Sequence, residues 1–140
     1  MSNTQHTGAC HCGAVTYEVT MDLGAGSTRC NCSFCSKNRM WIAFAPRAQL
    51  TVTKGEDALH AYQHTPPHKS APFLHLYFCV HCGVRPFARG GHLPALGGEF
   101  YAVNVATLDL TPAQLAAIPV RYVDGAHDDY DAVPAVTSYL

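Results

Sequence analysis

Seven cysteines stand in three groups: Cys10-His11-Cys12-Gly13, Cys30-Asn31-Cys32-Ser33-Phe34-Cys35 and Cys79-Val80-His81-Cys82-Gly83. The spacings are C-x-C, C-x-C-x-x-C and C-x-x-C. Four thiolates close a tetrahedral structural zinc site, whereas three leave a position open for water or substrate. The count divides as four plus three, and predicts one zinc of each kind, two per chain. An odd number of cysteines fits a disulfide framework poorly.

The partition follows from the glycines. Cys12 and Cys82 are each followed by glycine, which can take φ > 0 and let the backbone turn tightly around a metal. Cys10, Cys12, Cys79 and Cys82 therefore form the closed, structural site, which would tie the N-terminal strand to the strand ending at Phe78. A redox dithiol at Cys79-x-x-Cys82 is the competing reading, but no βαβ pattern surrounds it. Spacing alone does not distinguish zinc from a single iron there.

Cys30, Cys32 and Cys35 lack that signature and lie among polar residues. A metal held by three thiolates can bind a substrate thiol as thiolate or polarise a carbonyl oxygen. Arg29, Lys37 and Arg39 flank the trio and would suit an anionic substrate; a solvated basic face is the plain alternative. His11 and His81 lie inside the knuckles. His60, His64, His68, His75, His92 and His127 are unplaced, and any of them could complete the middle site or move a proton, although a surface or packing role is the commoner one. Trp41 and Phe44 could line a pocket, with strand packing the default.

These groups need elements to hold them. Val15, Tyr17 and Val19 alternate with polar residues, a half-buried strand. Further strands are predicted at 40–44, 49–53, 59–63, 73–78, 100–105 and 120–123. Residues 64–72 read as a proline-rich surface loop, 85–98 as a Gly/Pro-rich wrap over the surface, and the tail from Gly125 as irregular. One short helix is expected near residues 112–118, with Thr111 as cap and Pro112 at its first position. The expectation is a mostly β fold in one domain over residues 1–140.

Composition sets outer bounds. Hydrophobic residues make up 48% and charged residues only 14%, so a packed core is affordable in 140 residues. The net charge of −1 gives no basic stripe for nucleic acid. No apolar run approaches the roughly 18 residues of a membrane span, and no signal peptide is visible. A cytoplasmic, reducing setting is expected, where clustered cysteines serve metal or catalysis.

Gly8 to Val19, Cys30 to Lys37 and Phe78 to Gly83 resemble, in order, three motifs of the glutathione-dependent formaldehyde-activating enzyme family, which includes centromere protein V. The resemblance spans roughly residues 8 to 105. It implies several coiled β-sheets of the Mss4-like kind. It implies a structural zinc at Cys10, Cys12, Cys79 and Cys82 and a catalytic-type zinc at Cys30, Cys32 and Cys35. The implied activity is a carbon–sulfur lyase reaction run in reverse, joining glutathione or a similar thiol to formaldehyde or another small aldehyde. The other class of function is a non-catalytic zinc protein: a thiol carrier, a metal sensor or an interaction module. Nothing in the sequence decides between a monomer and a homo-oligomer.

Overall fold

Period-two burial makes the first sheet. Tyr17, Val19 and Met21 face inward along β2 (Thr16–Met21), while Thr16, Glu18 and Thr20 face out. This strand pairs antiparallel with β1 (Thr4–Ala9) on one side and β5 (Leu50–Lys54) on the other. The computed structural model of the chain describes residues 3–66 and 70–140. Its second sheet has seven strands: β3 (Ser27–Cys30), β4 (Ile42–Pro46), β6 (Leu59–His64), β7 (Leu74–Cys79), β8 (Phe87–Leu93), β9 (Gly98–Asn104) and β10 (Val120–Val123). Their order is β10-β3-β4-β9-β8-β7-β6. All neighbours are antiparallel except β10 and β3, which run parallel.

The fold is mostly β, as expected, in two sheets. Tyr17 is fully buried between them, its ring edge-on to Phe87 at 5.3 Å. Its hydroxyl is satisfied by Thr107 Oγ1 at 2.7 Å. Burial pushes the Tyr17 phenol up, against the hydrogen bond from Thr107, so it stays neutral.

The helix expected near 112–118 is α2 (Pro112–Ala116). Thr111 Oγ1 accepts from the Gln114 N–H, and Gln114 Oε1 accepts from the Thr111 N–H, a complete capping box. A second short helix was not expected: α1 (Ser33–Asn38) lies inside the cysteine trio. Among the described residues, no helix is long and apolar enough to cross a membrane.

The stretch 85–98 corrects the sequence reading. It was expected to wrap the surface, yet β8 lies inside the sheet between β7 and β9, with Phe87, Ala88 and Gly90 buried. Its small residues reflect crowding. A Cβ at Gly90 would strike the Phe100 ring on β9. Loop-like composition here is the trace of close packing. Strands β1 and β3 also went unread, because neither has an alternating apolar pattern. Of the loop predicted over 64–72, residues 67–69, and with them His68, lie outside the described residues.

Candidate metal centres

Four cysteines converge from the ends of two sheets. Cys10 follows β1, Cys12 lies two residues on, Cys79 ends β7 and Cys82 follows in the next turn. Their four Sγ atoms all lie within 4.8 Å of one another. Cys10 Sγ is 3.7 Å from Cys12 Sγ, and Cys12 Sγ is 3.7 Å from Cys79 Sγ. A Zn–S distance of about 2.3 Å implies a tetrahedron edge of about 3.8 Å, whereas a disulfide would bring two sulfurs to about 2.0 Å. The spacing fits a tetrathiolate metal and no disulfide.

The two knuckles are built alike. The Gly13 N–H donates to Cys10 O at 3.3 Å and the Gly83 N–H to Cys79 O at 2.8 Å. Gly13 has φ +79° and Gly83 φ +77°, with open space where a Cβ would sit. Both glycines are therefore required for backbone conformation and not for room. The turns aim N–H groups at sulfur: Val15 N–H reaches Cys10 Sγ at 3.3 Å.

That wiring moves the thiols apart in acidity. Cys82 is pulled down to about 6, first by the Cys12 N–H and then by the Val84 N–H. At Cys12 the Ala14 N–H pulls down, but desolvation and three neighbouring thiols prevail and push it up to about 11. At Cys10 burial pushes up, yet the Val15 N–H and the Cys12 and Cys79 thiols outweigh it and the net is downward. Four thiols this close cannot all ionise unless a cation joins them.

The second cluster comes from six consecutive residues. Cys30 ends β3, Cys32 caps α1 and Cys35 sits one turn into it. Their Sγ atoms also fall within 4.8 Å of one another, and among the described residues no fourth His, Cys, Asp or Glu joins the set. Cys32 Sγ accepts the Cys35 N–H at 3.3 Å, so the helix cap itself aims the sulfur. Thiols of Cys30 and then Cys35 hold Cys32 far below the ordinary thiol range. The same contacts push Cys30 and Cys35 up, Cys32 acting first on Cys30, and Cys30 first on Cys35. Three soft sulfur donors brought together are matched to a thiophilic cation such as zinc.

The C-terminal loop that sequence left irregular lies against this cluster. Pairing of Val120 with Ser27 through Val123 with Cys30 delivers residues 124–130 to the trio. A Cβ at Gly125 would overlap Cys30 Sγ and touch the Tyr130 ring. Asn31, between two ligand-type cysteines, holds the loop from both ends of its amide. Its Nδ2 donates to Asp124 Oδ1 at 2.8 Å, and its Oδ1 accepts the Ala126 N–H at 2.9 Å. His127 Nδ1 lies 2.9 Å from both oxygens of Asp124. Asn31 first, and His127 second, keep the Asp124 carboxyl below its ordinary range. The ionised carboxylate can only accept, so Nδ1 carries the hydrogen and Nε2 is left for other partners. Burial pushes the Tyr130 phenol up.

The three cations expected near the trio are placed differently. Arg29 lies over the Trp41 ring at 5.2 Å, and Trp41 Nε1–H donates to Ser27 Oγ at 2.6 Å. Lys37 is exposed on α1. Arg39 is exposed too, and its left-handed backbone (φ 50°) caps the helix. Phe44 is 37% exposed, edge-on to Phe100. Arg85, which the sequence does not single out, also packs on α1. Its position three residues after Cys82 carries no signal, because its partners Phe34, Asn38 and Phe78 meet it only in the fold.

Comparison with known proteins agrees with this arrangement. The sequence profile described as "Glutathione-dependent formaldehyde-activating enzyme" matches residues 5–123. The crystal structure of a Rhodobacter sphaeroides protein from a structural-genomics programme superposes with a TM-score of 0.63 at 32% identity, over 82% of this chain and 99% of that one. With both cysteine clusters assembled and the profile spanning most of its length, the chain belongs to the glutathione-dependent formaldehyde-activating enzyme family.

Proposed function

We propose that this protein is a zinc-dependent carbon–sulfur lyase-type enzyme that adds a small thiol, glutathione or a relative, to formaldehyde or another small aldehyde. The single observation that carries the reading is the trio: three convergent sulfurs with no fourth protein donor among the described residues. Cys30, Cys32 and Cys35 would hold one zinc and Cys10, Cys12, Cys79 and Cys82 another. A zinc held there by Cys30, Cys32 and Cys35 would supply the positive charge that keeps a substrate sulfur as thiolate near neutral pH.

The chain's own groups supply the rest. The thiol S–H proton must leave, the sulfur lone pair forms the S–C bond, and the carbonyl π pair moves to oxygen, which then takes a proton. His127 follows two residues after Gly125, whose backbone lies against Cys30, and is held by Asp124. Its Nε2 accepts the thiol proton and returns it to the new alkoxide. Asp124 fixes the ring through Nδ1 and stabilises the imidazolium. Asn31 holds Asp124 in place, and so links the proton carrier to the ligand-bearing strand. Gly125 keeps the approach to Cys30 clear of a side chain. Because thiols add to formaldehyde unaided, the gain comes mainly from holding both reactants and the proton carrier together.

The test is exchange NMR at equilibrium with glutathione and ¹³C-formaldehyde, using zinc-loaded protein. The expected result is adduct formation and breakdown well above the uncatalysed rate, abolished in Cys32→Ser with the fold retained. Exchange at the background rate in the wild type, or undiminished exchange in folded Cys32→Ser, would overturn the reading.

A further inference from the structure

Arg85 is the half-buried cation packed against the helix that carries the trio. The loop after the second knuckle brings it there, and Asn104 Nδ2 fixes its carbonyl at 2.8 Å. The guanidinium lies between two rings, 5.0 Å from Phe34 of α1 and 5.4 Å from Phe78 of β7. Nε donates to Asn38 Oδ1 at 3.1 Å and Nη1 to Leu76 O at 3.0 Å. These contacts hold the fork in one orientation. They use two of its five N–H groups, and both acceptors are neutral.

No carboxylate completes the arrangement among the described residues. Elsewhere the chain pairs such charges: Arg47 meets Glu99, and Asp124 meets His127. At Arg85, burial lowers the guanidinium's affinity for its proton, and the one group acting against burial is the Tyr62 phenol, whose ring stacks on Phe34 at 6.2 Å. A half-buried, fixed, unneutralised guanidinium is suited to a carboxylate from outside the chain. Phe34, which the guanidinium covers, directly precedes Cys35 on α1, and a chain of three residues spans at most about 10 Å. A sulfur at the trio and a carboxylate at Arg85 can therefore belong to one small peptide.

We propose that Arg85 is the carboxylate-binding residue of the thiol substrate, and that it selects peptide-like anionic thiols over neutral ones. This rests on the thiol-addition reading above. Arg85 also braces α1, so the test must move something a brace would not. The probe is S-methylglutathione, which keeps both carboxylates and has no thiol, against its dimethyl ester. Both are titrated calorimetrically into zinc-loaded protein. The wild type should bind the free acid about tenfold or more tightly than the ester, with the preference shrinking as salt is raised. Arg85→Met should weaken the acid about ten- to hundredfold more than the ester, so that the preference is lost. Arg85→Lys, which keeps the charge and loses the fork, should fall between them.

Equal losses for acid and ester would mean a brace alone and would overturn the proposal. So would a wild type that shows no preference or binds neither compound, an outcome that needs no variant to fold. Adduct exchange with 2-mercaptoethanol separates this proposal from the reading it rests on. That neutral thiol has no carboxylate, so its exchange on the wild type tests thiol addition without the Arg85 subsite. Exchange at the background rate would overturn the thiol-addition reading, and exchange above it with no acid-over-ester preference would overturn this proposal alone.

Discussion

The cluster at Cys10, Cys12, Cys79 and Cys82 draws its sulfurs from the ends of two sheets; the cluster at Cys30, Cys32 and Cys35 draws its sulfurs from a strand end and the first turn of α1. In the first, left-handed glycines fold each turn tightly and four donors close the shell. In the second, a strand end and the start of α1 present three donors, and the segment after β10 is tied to Asn31 between two of them through Asp124, which also holds His127. The same side chain thus serves two ends. Donors from distant segments cross-link the fold, while donors from one segment cost little long-range order and leave a face free for chemistry.

That contrast can be broken most severely at the closed cluster. Cys79→Ser should leave the chain unfolded at room temperature, seen as loss of strand signal in circular dichroism. A structural zinc binds with an apparent free energy on the order of 10 kcal/mol, comparable to the whole stability of a domain. Replacing Cys30, Cys32 and Cys35 together by Ser should instead lower zinc from two to one per chain by elemental analysis and leave the fold intact. Unfolding in that variant would show that both clusters are structural.

His127→Ala should slow adduct exchange about a hundredfold or more while both zincs are retained. Unchanged exchange would take the proton step away from this loop. The glycines offer a finer test. Gly13→Ala or Gly83→Ala should destabilise by about 1–2 kcal/mol in urea unfolding, because an L residue is forced into the left-handed region. Gly125→Ala should act on the trio, releasing its zinc more readily to a chelator, because the added Cβ overlaps Cys30 Sγ.

The smallest effect is acid release of the 124–130 loop. The Asp124 carboxyl is held below its ordinary value of 3.8, so its contribution is fully present above that value and is lost as pH falls through the lower folded value. The Asn31 side-chain amide resonances should shift only in that acid window, and Asp124→Asn should abolish the transition.

Much of this was legible in the chain. The cysteine groups were readable because C-x-C, C-x-x-C and a following glycine encode local turn geometry. The strands at Thr16–Met21 and Gly98–Asn104 were readable because one face of each is apolar. The helix at Thr111 was readable from its cap and proline. Strand β8 was misread because Ala88 and Gly90 look like a loop until Phe100 is placed against Gly90. Helix α1, with six residues and no buried side chain, has no apolar stripe to announce it.

The sequence by itself determined the two local pairs and the trio, since each is set by a turn of a few residues, and the glycine after Cys12 and Cys82 marked the two pairs as alike. The fold then brought those pairs together across 67 positions. Only the tertiary structure decided what stands beside the trio. Asn31 and Asp124 are 93 positions apart and meet because β10 lies parallel to β3. Arg85 reaches α1 from 47 positions beyond Asn38. No local propensity records such a meeting, because its energy comes from sheet pairing and burial that exist only once the whole chain has folded.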